Sequence, residues 1–193
     1  MYDADGVINN AFMAFSVLLD TKYGLSLDKT KDFFKGPFVD CLVGAKDMKE
    51  VLPDYLKKWG WDDTLERFLH LWFTSEHSIE AAIIEDVKEL RKKGIECYVA
   101  TNNEKHRANY MLEQMGFRDH FDGLFASAHL GRKKPDKEFF EKILTKLHVA
   151  PEEVLFWDDA EENVQAAQEL GIHAEHFSSV KSYRKVMAEV YGL

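Results

Sequence analysis

From residue 80 to the C-terminus, short apolar runs alternate with amphipathic helical stretches, and no other feature of the chain limits the possible folds as much. Ile83, Ile84, Val87 and Leu90 form one helix face, Arg91, Lys92 and Lys93 fall in its last turn, and Gly94 stops it. Residues 95–100 read as a buried strand, followed by a helix with Ala108, Met111, Leu112 and Met115 on one face. A strand over 124–127, a helix carrying Phe139, Phe140, Ile143, Leu144 and Leu147, and a strand over 154–157 come next. A helix with Asn163, Ala166, Ala167 and Leu170 ends at Gly171, a weak edge strand covers 173–177, and a last helix covers 182–191. The alternation predicts an α/β fold: a Rossmann-like parallel sheet with helices on both faces.

Residues 10–78 have another texture. Phe12, Phe15, Leu18 and Leu19 lead to a stop at Gly24, and Leu65, Phe68, Leu69, Trp72 and Phe73 recur at helical spacing. Pro53 is expected to end or bend a helix. The pattern therefore divides the chain into an α/β core over 1–9 and 79–193, with an all-helical subdomain inserted over 10–78.

Charge narrows the partners. Among 193 residues, 34 are acidic and 25 are Lys or Arg, a net charge of −9 that disfavours nucleic acid and suits cation binding. Cys41 and Cys97 are the only cysteines and form no CxxC pair, so both read as small buried hydrophobes in a reducing compartment. The longest charge-free stretch, residues 6–19, is too short and polar to span a bilayer. Asp3 and Asp5 precede any basic residue, unlike a secretory leader, and a cytoplasmic protein without membrane partners is expected.

In an open parallel sheet, ligands bind at the carboxyl ends of the strands, so the loops that follow them carry the chemistry. These loops hold Asp3-Ala4-Asp5-Gly6, Thr101-Asn102-Asn103, Lys133-Lys134-Pro135-Asp136, and Asp158-Asp159 with Asn163. Asp3 and Asp5 on a short turn can act as nucleophile and as proton donor to a leaving oxygen. Thr101 and amides at a helix start can hold phosphate oxygens, and a lysine neutralises developing charge. The Asp158 and Asp159 carboxylates complete an oxygen-ligand site for Mg2+, without which the acids would repel a phosphate dianion. Singly, each signal has a plain alternative: a solvated turn, a helix cap, a surface lysine pair. Their common place after successive strands distinguishes them.

DADGVI, VATNN, GRKKPDKEFF and VLFWDDAEENVQAAQELGI resemble, in order, the four motifs of the haloacid dehalogenase-like hydrolases, and the inserted segment resembles the small helical cap of that superfamily. The resemblance covers essentially the whole chain. It implies Asp3 as the nucleophile that becomes an aspartyl phosphate, Asp5 as general acid and base, and Thr101 as phosphoryl ligand together with the amide of Asn102. It aligns Lys134, next to Pro135, with the phosphate-binding lysine. Asp3, Asp5, Asp158 and Asp159 become the Mg2+ set, with Asp159 the better match to the direct ligand and Asp158 to a supporting position. Asn163 would orient that loop. The implied activity is hydrolysis of a small phosphorylated metabolite by a monomer or homodimer. Asp5 argues against dehalogenation, which needs no proton donor. A phosphomutase using the same aspartates, or a catalytically weak binding protein on the same fold, is the alternative.

The family places a buried strand before its nucleophile, whereas only Met1 and Tyr2 precede Asp3 here. Either the chain begins earlier than this sequence, which is the favoured reading, or it is a truncated and weak enzyme with a loosely held Asp3. A receiver domain shares the acids, hydroxyl and lysine but orders them differently and lacks a cap. His173 and His176 read as edge-strand histidines, His70 and His77 as partly buried ones, and Lys181, Arg184 and Lys185 as a solvated helix face.

Overall fold

A computed structural model describes residues 1–11 and 14–193. Five helices come first: α1 (Phe15–Tyr23), α2 (Leu27–Phe34), α3 (Pro37–Leu42), α4 (Met48–Trp59) and α5 (Leu65–Ser75). They share an aromatic interior in which Phe15, Phe33, Leu52, Phe68 and Trp72 are buried, and Phe15 stacks on Trp72 with centroids 5.1 Å apart. The periodicity at Phe15 and Leu19 is found in α1, which ends at Gly24 with φ 63°. Phe12 lies outside the described residues.

Pro53 does not end its helix. It sits inside α4, exposed to solvent, where the one backbone bond it forgoes is outweighed by the Asp47 cap and by burial of Met48, Leu52 and Leu56 on a separate face.

The remainder alternates as the pattern requires. After α6 (Ala81–Lys92) come β1 (Tyr98–Thr101), α7 (Lys105–Glu113), the short α8 (Phe117–His120), β2 (Gly123–Ala126), the short α9 (Ser127–Leu130) and α10 (Lys137–Leu147). Then follow β3 (Leu155–Asp158), α11 (Glu161–Gln168), β4 (His173–His176) and α12 (Val180–Glu189). β1 pairs in parallel with β2, Tyr98 opposite Gly123, and β3 with β4, Leu155 opposite His173.

Residues 1–3 join the two pairs. The Tyr2 amide donates to the Tyr98 carbonyl (2.9 Å) and the Ala100 amide to the Tyr2 carbonyl (2.8 Å). On the other side Trp157 donates to Met1 (3.0 Å) and Asp3 to Trp157 (2.8 Å). The parallel order is thus β2, β1, residues 1–3, β3, β4, and ladder bonds on both flanks correct the alternative of a loosely held Asp3. The Met1 nitrogen is buried and donates to the Leu155 carbonyl at 2.6 Å. Beyond it a cavity of about 670 Å³ continues between Glu96–Tyr98 and Val154–Leu155.

Period-2 alternation divides the core. Tyr2, Val99 and Trp157 pack with α6, α7 and α12, while Met1, Ala100 and Phe156 pack with α10 and α11. A sheet buried on both faces holds its strand ends rigidly, and the candidate site lies at those ends.

Candidate active site

Asp3 follows the central residues, Thr101 ends β1, Lys134 lies between α9 and α10, and Asp158 ends β3 with Asp159 next. One side chain gathers three of these elements. Lys134 is 1% exposed, and its ammonium donates to the Ala100 carbonyl (2.8 Å) and Asp158 (2.6 Å) and pairs with Asp3 Oδ1 at 2.7 Å. A buried ammonium needs such partners, since each ion stripped of water costs several kcal/mol. Lys133, its neighbour, takes no part in these bonds.

Oxygens of Asp3, Asp158 and Asp159 lie within 4.8 Å of one another. Asp158 is fully buried, and its Oδ1 accepts from the Ala160 amide (2.8 Å) and Asn163 Nδ2 (3.0 Å), so Asn163 sits where it can orient the loop. Asp159 is exposed. Burial, reinforced by the Asp158 charge and opposed by Lys134, pushes the Asp3 carboxyl up to about 7. Burial beside Asp158 also raises Asp159. Three carboxylates against one ammonium leave uncompensated negative charge in an all-oxygen cluster, the donor chemistry of a hard divalent cation. The residues present therefore fit Mg2+.

The Asp5 side chain is not among the oxygens of that cluster. Its Oδ1 accepts from Asn9 Nδ2 (2.7 Å), its Oδ2 from Asn103 Nδ2 (3.0 Å), and Arg107 Nη2 stands 3.6 Å away. These donors draw the half-exposed carboxylate away from Asp158 and Asp159. Asn103 also donates to Thr101 Oγ1 (2.8 Å), leaving the buried threonine hydroxyl its hydrogen for another acceptor. The Asn102 side chain stitches two loops together: Nδ2 donates to the Lys134 carbonyl (2.9 Å) and Oδ1 accepts from the Lys134 amide (2.8 Å).

Gly6 brings the first and fourth loops into contact. It has φ +93°, and a Cβ there would lie 2.2 Å from Asp159 Oδ2. Gly6→Ala is expected to push Asp159 out of the cluster and weaken Mg2+ binding roughly 10-fold or more, read by calorimetric titration. Unchanged affinity would remove Asp159 from the metal site.

Asn9, Asn103 and Arg107 were not singled out from sequence. Asn103 stands inside the Thr101 motif, so its place there was a usable signal; the burial of Arg107 leaves none. Asp47, which caps α4, reaches Lys105 and His106 at 2.6 Å each and ties the helical segment to α7; they hold its carboxyl well below the usual range despite burial.

A family model described as haloacid dehalogenase-like hydrolase matches residues 2–175. The chain belongs to that family. It is 36% identical over 99 residues to the sesquiterpene phosphatase astK of Aspergillus oryzae, covering 51% of this chain and 50% of that one. It is 24% identical over 185 residues to a phosphorylated carbohydrates phosphatase of Thermotoga maritima, covering 89% of this chain and 81% of that one. The chain spans half the length of astK and 24% of the bifunctional epoxide hydrolase 2 of Sus scrofa. Among solved structures it resembles a HAD family enzyme of Bacteroides thetaiotaomicron in complex with magnesium and inorganic phosphate, with TM-score 0.81, 21% identity and 93% of each chain covered. At that identity the likeness speaks for the fold.

Proposed function

We propose that this protein is a Mg2+-dependent phosphatase that hydrolyses a small phosphorylated metabolite through an aspartyl phosphate on Asp3. The observation that carries the reading is the division of labour between two carboxylates on one turn: Asp3 buried among Lys134, Asp158 and Asp159, Asp5 held apart and half-exposed.

Asp3 Oδ1 already accepts from the Ala4 amide (2.8 Å) and pairs with Lys134, which leaves Oδ2 for the phosphorus. Attack of that oxygen forms the O–P bond as the ester P–O bond breaks, and Asp5 gives a proton to the departing oxygen. Asp5 then takes a proton from the water that attacks the phosphoryl group, releasing phosphate and restoring Asp3. In this reading the Thr101 hydroxyl holds a phosphoryl oxygen, and the Lys134 ammonium, already paired with Asp3, offsets the charge of the phosphoryl group. Asp3, Asp158 and Asp159 would hold Mg2+, which when bound offsets carboxylate and phosphate charge. In this reading residues 10–78 are the cap over the leaving group. The sesquiterpene phosphatase and the phosphorylated carbohydrates phosphatase among the relatives both accord with a small phosphate ester as substrate.

The test is release of inorganic phosphate from p-nitrophenyl phosphate with Mg2+ and with chelator, followed by a panel of isoprenoid, sugar and polyol phosphates. No Mg2+-dependent release from any of them would overturn the reading.

Metal binding should also depend on pH. With Asp3 raised to about 7 from an ordinary 3.8, the metal-free folded state keeps a proton that the unfolded chain has lost, so this group's contribution to stability falls as pH rises through that window. Mg2+ must displace that proton, so its apparent affinity should rise about tenfold per pH unit below 7 and level off above. Calorimetric titrations on either side of pH 7 check this; a flat profile would contradict it.

A further inference from the structure

Phosphoryl transfer as described leaves one buried cation without a task. Arg107 on α7 is 3% exposed, although guanidinium groups belong at surfaces unless every donor is occupied. Its fork donates from Nη1 to the Phe73 carbonyl (2.9 Å) and from Nη2 to the Glu76 carbonyl (3.1 Å), at the end of α5, where a helix terminus attracts a cation. The same group lies 5.6 Å from the ring centroids of Phe73 and Tyr110. Its Nη2 is also 3.6 Å from Asp5 Oδ1.

One side chain thus touches three pieces of the molecule: a core helix, the last helix of the inserted segment at its return to the core, and the carboxylate assigned to the leaving group. A purely structural arginine would be satisfied by the two carbonyls and the rings. The contact with Asp5 adds a consequence, because Nη2 serves both the Glu76 carbonyl and Asp5, so a shift of α5 alters the support of Asp5.

We propose that Arg107 is a positioning residue: it registers the seating of α5 and, together with Asn9 and Asn103, orients the Asp5 carboxylate toward the leaving oxygen. The inference rests on the reading of Asp5 as the acid. A misplaced acid harms esters in proportion to their need for a proton. An alkyl phosphate, whose alkoxide leaves poorly, depends on Asp5; dinitrophenyl phosphate, whose phenolate leaves unaided, depends on it little.

The experiment compares kcat and KM for both esters in the wild type, Arg107→Gln, Arg107→Lys, Asp5→Asn and the double variant Asp5→Asn/Arg107→Gln. Arg107→Gln is expected to lower kcat for the alkyl ester by roughly 30-fold or more, with KM little changed, and to lower kcat for the dinitrophenyl ester by a much smaller factor. Arg107→Lys keeps a buried charge for the α5 carbonyls but lacks the fork, and its folded fraction should show the same selectivity, so a failure of Arg107→Gln to fold does not remove the test. In the Asp5→Asn background, adding Arg107→Gln should cause little further selective loss. Equal losses on both esters, or an alkyl-selective loss that persists undiminished without the Asp5 carboxylate, would overturn the inference. A wild type that turns over neither ester would overturn the phosphatase reading and the inference together.

Discussion

Asp3→Asn is expected to reduce phosphate release by roughly four orders of magnitude or more while leaving the protein folded. The amide keeps the shape of the carboxylate and the backbone bonds of residues 1–3 on either side, so the sheet has no reason to open. It also removes one of three crowded carboxylates, of which Asp3 is pushed up to about 7 by burial. Above that pH the variant should melt no lower than the metal-free wild type, because the ionised Asp3 is the costly state. Lost activity with unchanged stability assigns chemistry to Asp3. Near-normal turnover would end its role as nucleophile.

Lys134→Met is expected to impair stability and turnover together. The ammonium is sealed from water and stands between Asp3 at 2.7 Å and Asp158 at 2.6 Å, so its removal strands buried negative charge. Breaking such a pair from one side costs about 3–5 kcal/mol, which for a domain of this size lowers the melting temperature by roughly 6–20 °C. Mg2+ would replace part of the missing positive charge, so the loss should be smaller with the ion than with chelator. Turnover should fall by a factor of 100 or more even with saturating Mg2+, since no other described side chain joins Asp3 to Asp158. Thermal melts in both conditions, with assays on the folded fraction, measure this. A variant as stable and active as the wild type would show that Lys134 holds neither the site nor the phosphoryl group.

The site motifs were legible in the sequence because chemistry at the end of a buried strand leaves a local trace. Polar turns after β1 and β3 carry Thr101 and Asp158, and the stretch after β2 and α9 carries Lys134; ion pairs join Lys134 and Asp158 to Asp3, and Asn103 links Thr101 to Asp5. Element edges were less legible. The strand expected over 95–100 begins at Tyr98, because Gly94 turns with φ 83° and the Cys97 amide donates to Asp122 Oδ2 instead of a neighbouring strand. Pro53 misled because propensity counts the lost bond and not the buried face that holds α4.

The central residues misled in the opposite direction. Two residues before Asp3 look too few to anchor a nucleophile, yet parallel pairing on both flanks holds them. What the sequence conceals is contact across distance. Arg107 reaches Phe73, Glu76 and Asp5, and no spacing in the sequence reports such meetings.

The covalent intermediate on Asp3 is the claim on which the account stands. Acid quench during turnover of p-nitrophenyl phosphate with Mg2+, followed by borohydride reduction, converts an aspartyl phosphate to homoserine, which peptide mass analysis locates. The account expects homoserine at position 3, absent without substrate and absent in Asp3→Asn. Steady turnover with no modification at position 3, or modification at another aspartate, would contradict it.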